Sequence, residues 1–368
     1  MLDVIKIASV VGARPQFIKL APIVRAIKKH NDLLCKPRIN HFIIDTGQHY
    51  DYLMSKVFYD ELEIPVPAYH LEVGSGTHGN QTGKMLERVE AALLRELPDL
   101  VLVYGDTNST LAGALAASKL HLTVAHIEAG LRSYNKRMPE EINRVLTDHI
   151  SDLLFCPTEI SVRNLNKEGL AEGVFWVGDV MYDSVLFNVK IAERRSKILE
   201  NLQLIPKNYV LATVHRAENT DNPERLKSIF IAFEEIGLKG KSLIIPLHPR
   251  TQKELEKLGI SVTNVRLIEP VSYFDMLMLE KNAQFILTDS GGVQKEAFFF
   301  KVPCLTLRDE TEWIETVDTG WNKLVGCERD RIVKACNEIS EGIFSINPYG
   351  EGETGKHILS IISSKYKA

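Results

Sequence analysis

Short apolar, β-branched runs recur along the first half of the chain: IKIASVV from residue 5, HFIID from 41, AYHLEV from 68, LVLVYG from 100, TVAHIE from 123, LLFCPT from 153 and VFWVGD from 174. Between them, as in Phe17 to Lys29 and Gln81 to Leu97, apolar residues repeat at spacings of three and four, the signature of helices with one buried stripe. Strands alternating with helices, and apolar throughout rather than at every second position, predict parallel sheets covered on both faces. A charged helical stretch without strand signal, residues 190–208, interrupts the pattern. It then resumes with YVLATVHR at 209, SLIIPLHP at 242, VRLIEP at 265, QFILTDSGG at 284, VPCLTLR at 302 and NKLVG at 322.

The expected architecture is therefore α/β, with two doubly wound Rossmann-like domains facing an interdomain cleft. The expected boundaries are 1–185 for the first domain, 186–350 for the second and 351–368 for a closing helix packed back on the first. Length agrees, since single cores rarely grow beyond about 250 residues and this chain has 368. In open α/β sheets ligands bind beyond the carboxyl ends of the strands, so strand ends are where chemistry is to be sought.

Composition narrows the function classes. Lys and Arg number 44 against 48 Asp and Glu, a net charge of -4 with no basic block, which argues against a nucleic-acid footprint. No stretch approaches the roughly 18 uninterrupted apolar residues of a membrane span. Five cysteines, an odd number without a CxxC pair, fit a reduced protein of the cytoplasm. No HxH, HExxH or paired Cys/His spacing is present, and no metal site is expected.

The run ILTDSGGVQKEA, residues 286–297, carries the first chemical signal. An apolar strand stops at Asp289, passes through Ser290, Gly291 and Gly292, and resumes as a helix carrying Glu296. A bare helix start has unpaired N–H groups and the positive end of the dipole, and so suits a phosphate. Other strand ends are equally polar: Arg14 and Lys19 after the first, then Gln48, Asp106, Glu128 and Arg132, and His215, His248 and Arg308 in the second half. In RMPEEINRVL, Pro139, Glu140 and Glu141 suit a helix start, and Arg144 shares a face with Glu140 as either an ordinary surface pair or a positioned one. GSGTHG at 74–79 matches the dinucleotide pattern only weakly, because it follows the third strand rather than opening a first βαβ unit, and the position about 20 residues on falls in the loop around Pro98 and Asp99.

Taken together and in order, GARPQFIKLAPI, TGQHYD, GDTNST, HIEAGLRS, MPEEINR, HRAEN and TDSGGVQKEA resemble the non-hydrolysing UDP-N-acetylglucosamine 2-epimerase family across essentially the whole chain. The resemblance implies a glycosyltransferase-B-type fold, a homodimer, and reversible conversion of UDP-N-acetylglucosamine to UDP-N-acetylmannosamine with no added cofactor. Such chemistry avoids an unstabilised carbanion at C2 by losing UDP from C1 as the C2 proton leaves, giving a 2-acetamidoglucal to which UDP returns. It requires acid/base groups on both faces of C2 and stabilisation of the departing diphosphate.

By motif match, Asp106, Glu128 and Glu140 are the acid/base residues and His215 serves the leaving diphosphate. Arg14, Lys19, Gln48, Gln81, Arg144, His248, Ser290, Gly291, Gly292, Glu296 and Arg308 bind substrate. Uracil meets the segment from Leu267 to Phe274, where the ring of Phe274 is an aromatic partner. Clustered carboxylates are expected to push at least one pKa upward. Ala217 and Asn80 depart from the arginines that many bacterial members carry where a second UDP-N-acetylglucosamine regulates allosterically. The competing readings are the hydrolysing relative, which releases UDP and N-acetylmannosamine, a glycosyltransferase of the same fold, and a non-catalytic nucleotide-sugar sensor.

Overall fold

A computed structural model describes residues 3–48, 59–247, 249–260, 262–343 and 347–367. The chain forms two compact units, Met1–Leu186 together with Asn347–Ala368, and Phe187–Ile346.

The first unit holds strands β1 (Val4–Val11), β2 (Arg38–Asp45), β3 (Tyr69–His70), β4 (Leu100–Tyr104), β5 (Thr123–Ile127), β6 (Leu153–Cys156) and β7 (Val174–Trp176). They lie in the order β3-β2-β1-β4-β5-β6-β7, every neighbouring pair parallel. The strand expected over AYHLEV shrinks to Tyr69–His70, because Glu72 adopts φ 48° and Gly74 φ 71°, turning the chain out of the pleat. Helix Asn108–Lys119 approaches β1 closely at Gly113, where a Cβ would stand 3.0 Å from the Val10 side chain. The closing helix Thr354–Lys367 meets helix Arg14–Asp32 in the same way, with a Cβ on Gly355 falling 3.0 Å from the Pro22 carbonyl oxygen.

The second unit holds β8 (Tyr209–Thr213), β9 (Ser242–Pro246), β10 (Arg266–Ile268), β11 (Phe285–Thr288), β12 (Cys304–Thr306) and β13 (Asn322–Leu324), in the order β10-β9-β8-β11-β12-β13 and again all parallel. Alternation along β8 shows how the sheet is buried on both sides. Val210 and Ala212 join Phe230 and Phe233 in one cluster, while Tyr209 and Leu211 join Leu279 and Ile286 in another.

Both sheets reverse their strand order once, between β1 and β4 in the first unit and between β8 and β11 in the second. At such a switch point the flanking loops diverge to opposite faces and open a crevice at the carboxyl edge. The loops in question begin at Gly12 and Gly105 in one unit, and at Val214 and Asp289 in the other. Among the described residues no helix is long and apolar enough to cross a membrane.

Candidate active site

In the first unit the switch point is occupied by paired charges. Glu128 follows β5 directly and adopts φ 75°, a left-handed conformation that a glutamate rarely takes. Its carboxylate is 6% exposed and accepts a hydrogen bond from Lys19 Nζ at 2.5 Å, with Lys19 itself only 7% exposed. Backbone strain and a buried ion pair at one position mark a residue held for what its side chain does. Gly105 makes room for the pair: its φ is 64°, and a Cβ there would stand 2.8 Å from Lys19 Nζ.

Asp106, the next residue, accepts a hydrogen bond from Arg144 Nη2. Arg144 is 1% exposed and gives Nη1 to Glu141 Oε2 at 2.8 Å. An ordinary surface pair is thereby ruled out for Arg144, whose guanidinium is buried between two carboxylates. Glu141 also accepts from Ser133 N, Ser133 Oγ and Tyr134 N, so it fastens the loop after β5 to helix Pro139–His149. Glu140, one residue earlier on that helix's first turn, is half-buried.

Electrostatics set the form of one of these carboxylates. Burial tends to raise the pKa of the Asp106 carboxyl, but the charges of Arg144 and Lys19 outweigh it, and the net shift is downward. Crowding with Glu128 acts in the raising direction and loses to the two cations. Asp106 is thus held as a carboxylate, the form in which it can accept a proton.

Amide side chains lock the same loops. Gln16, buried, accepts from Gly12 N and Ala13 N and donates to Tyr104 O and Thr110 Oγ1, tying the β1 loop to the end of β4. Gln81 donates to Gly74 O and accepts from Asn108, while Asn143 donates to Asn108 Oδ1 and to Asp106 O. Gln81 is therefore the outer member of a chain of amides ending at the Asp106 backbone. Gln48 accepts from Ser109 Oγ at 2.7 Å, and Arg14 opens helix Arg14–Asp32, part-exposed. The weak GSGTHG pattern lacks the close approach that makes its glycines necessary elsewhere: a Cβ on Gly79 would meet nothing within 4 Å.

In the second unit helix Gly291–Phe299 begins as expected, with Ser290 as N-cap accepting from Val293 N. A Cβ on Gly291 would stand 2.7 Å from Glu312 Oε1, so a larger residue there would displace the Glu312 carboxylate. Gly292 is half-buried beside it, and Glu296 is buried within the helix. Arg308 is buried and gives Nη1 to Glu312 at 3.0 Å, so this cation arrives already partnered by a carboxylate. His215 follows β8 with its side chain 48% exposed. The ring of Phe274 lies in the core of this unit, 4% exposed and 6.5 Å from the Tyr273 ring, so it offers no face to a base. His248 falls outside the described residues. Among the described residues no group of three His, Cys, Asp or Glu side chains is arranged to hold a metal ion.

The family described as UDP-N-acetylglucosamine 2-epimerase matches residues 31–363. The chain belongs to that family. Among curated 2-epimerases it is 54% identical to the UDP-N-acetylglucosamine 2-epimerase homolog of Methanococcus maripaludis, over 97% of this chain and 99% of that one. It is also 51% identical to the UDP-2,3-diacetamido-2,3-dideoxy-D-glucuronate 2-epimerase of Pseudomonas aeruginosa, covering 90% of this chain and 91% of that one. The crystal structure of the Methanocaldococcus jannaschii UDP-GlcNAc 2-epimerase in complex with UDP-GlcNAc and UDP matches with a TM-score of 0.91 at 50% identity, over 98% of this chain and 99% of that chain. The two Rossmann-like units of this 2-epimerase family member are those of its relatives, a glycosyltransferase-B-like fold.

Sequence reasoning missed Glu141, Gln16, Asn108, Asn143 and Asp289 as parts of the site's framework. Spacing alone could have drawn Glu141 in, since it stands three residues before Arg144 on one helix. The amides gave no such signal for their links between loops, because Tyr104 and Thr110 lie about ninety residues from Gln16, and Asn108 lies 27 residues from Gln81 and 35 from Asn143.

Proposed function

We propose that this chain is a non-hydrolysing isomerase that interconverts UDP-N-acetylglucosamine and UDP-N-acetylmannosamine at C2 without an added cofactor, as a homodimer in the cytoplasm. The observation that carries the reading is the first unit's paired arrangement, Glu128 with Lys19 and Asp106 with Arg144, at the switch point of its sheet. Two carboxylates each held by its own buried cation can exchange protons with a substrate without being left as naked charges.

In this reading the second unit's carboxyl edge receives UDP, with the diphosphate at the Ser290-capped helix start and the uracil against the backbone of residues 267–272. A base among Asp106, Glu128 and Glu140 takes the C2 proton, the C2–H electron pair forms the C1–C2 double bond, and the C1–O pair leaves with UDP. His215 stabilises the diphosphate as it departs. Return of UDP to C1, with a proton delivered to the opposite face of C2, gives the epimer. Five cysteines free of disulfides suit the reducing cytoplasm.

Incubation of the purified chain with UDP-N-acetylglucosamine alone, followed by separation of the nucleotides, tests the reading. The expected result is a mixture of the two UDP-sugars with free UDP remaining at trace level. UDP accumulating in step with free N-acetylmannosamine would replace the proposal with the hydrolysing reaction. The 51% identical Pseudomonas relative, named for a diacetamido uronate, supports one alternative substrate. Turnover of that sugar nucleotide, with none of UDP-N-acetylglucosamine, would move the assignment there.

A further inference from the structure

β8 and β11 lie side by side at the switch point of the second unit, in parallel register with Thr213 opposite Thr288. The two threonine hydroxyls meet at 2.6 Å. The residues that follow, Val214 and His215 on one strand and Asp289 on the other, therefore emerge next to each other.

Asp289 is 0% exposed, and its carboxylate faces the β8 loop. It accepts from His215 N through both oxygens, each at 3.1 Å, from Arg216 N at 3.0 Å and from Asn219 Nδ2 at 3.1 Å. Asn219 in turn donates to Leu307 O, which ties the loop to the strand end beyond β12. His215 Nδ1 stands 3.4 Å from Asp289 Oδ1. A buried carboxylate that gathers donors from one exposed histidine's backbone and faces one of its ring nitrogens has the arrangement by which an acid orients an imidazole.

We propose that Asp289 is the positioning residue of His215: its carboxylate holds the Nδ1 side of the ring and leaves Nε2 facing the departing diphosphate. Nδ1 then carries the hydrogen in the neutral ring, since a carboxylate beside it can only accept. In the imidazolium, Asp289 compensates the charge while Nε2–H donates to the phosphate oxygen that receives the C1–O electron pair. Asp289 also directly precedes Ser290, so one strand end carries both the partner of the histidine and the capped helix start. This proposal rests on the reading of the chain as an epimerase with His215 at the leaving group.

The test is the tautomer of His215 in the full-length protein, read by two-bond 1H–15N correlation after 15N-histidine labelling, with the resonance assigned by its loss in His215→Gln. The parent is expected to show Nδ1–H with Nε2 unprotonated. Asp289→Asn is expected to lose that preference and to drop kcat about 100-fold or more, with KM for the UDP-sugar changed by less than about threefold. A parent ring in the Nε2–H form overturns the proposal. So does Asp289→Asn with the tautomer unchanged, whatever its activity, because the residue would then act on the fold alone. If Asp289→Asn does not fold, the parent spectrum decides by itself. A parent without turnover on any UDP-sugar overturns the epimerase reading, while the spectrum still judges the pairing.

Discussion

Replacing Glu128 with Gln separates what its charge does for catalysis from what it does for the fold. The carboxylate is buried and meets Lys19 Nζ at 2.5 Å, so the variant leaves an ammonium with little solvent and no counter-charge at that distance. Breaking a buried pair by removing one partner costs about 3–5 kcal/mol, and Lys19→Met should cost a similar amount by stranding the carboxylate. The double variant removes both charges and should recover at least about half of either loss, because no naked charge remains. Activity should not follow stability. Loss of a positioned acid/base group removes about 10² to 10⁴ in rate, which is about 3–5 kcal/mol of transition-state stabilisation. Urea unfolding, calorimetric UDP binding and turnover of UDP-N-acetylglucosamine would be measured on the parent, both single variants and the double. Unaltered UDP affinity in Glu128→Gln, and partly recovered stability with absent turnover in the double variant, are expected. Turnover in Glu128→Gln within about threefold of the parent would remove the residue from the chemistry.

Three further outcomes follow from the same geometry. Gly105→Ala should destabilise by about 1–2 kcal/mol from its φ of 64° and, by pressing a methyl to within 2.8 Å of Lys19 Nζ, should also lower kcat; a fully active variant of parental stability would contradict the packing described. Asp106 and Asp148 both have carboxyl pKa values below their ordinary 3.8, Asp106 because Arg144 and Lys19 overcome the effect of burial, Asp148 because His126 and Arg132 do. A depressed folded-state value means stability that is present above pH about 4 and lost as pH falls through the folded pKa. Urea midpoints should therefore drop steeply below pH 4 in the parent and less steeply in Asp106→Asn, and equal slopes would count against the pairing. Ser290→Ala removes the N-cap of helix Gly291–Phe299 and should cost about 1 kcal/mol in stability and weaken UDP binding, both readable by calorimetry.

The parallel α/β architecture was legible because apolar runs alternate with helical stretches, and each run ends in a polar turn that a parallel sheet puts on one edge. That logic placed Asp106, Glu128 and Ser290 at their respective strand ends. It could not show that Lys19 meets a carboxylate, since Glu128 reaches it across more than a hundred residues, nor that Arg308 meets Glu312, which stands four residues on but not on a common helix. Nor could it tell Glu140 from Glu141: both suit a helix start, and only the loop at Ser133 and Tyr134 decides which one is buried. Phe274 illustrates the opposite failure. An aromatic residue near a strand end looks like a base-stacking platform, but at the start of helix Tyr273–Asn282 its ring turns inward. The downward shift at Asp106 was hidden for the same reason as the ion pairs, because carboxylates can be counted along a sequence while the cations between them cannot.

Inversion of C2 by loss and return of UDP requires the C2 proton to exchange with solvent. A proton NMR time course of the purified protein with UDP-N-acetylglucosamine in deuterated water, with nothing else added, tests it most directly. Deuterium is expected at C2 of a growing UDP-N-acetylmannosamine pool and, on reversal, at C2 of the remaining substrate, without free UDP building up. Epimer formed with its C2 proton retained would contradict it.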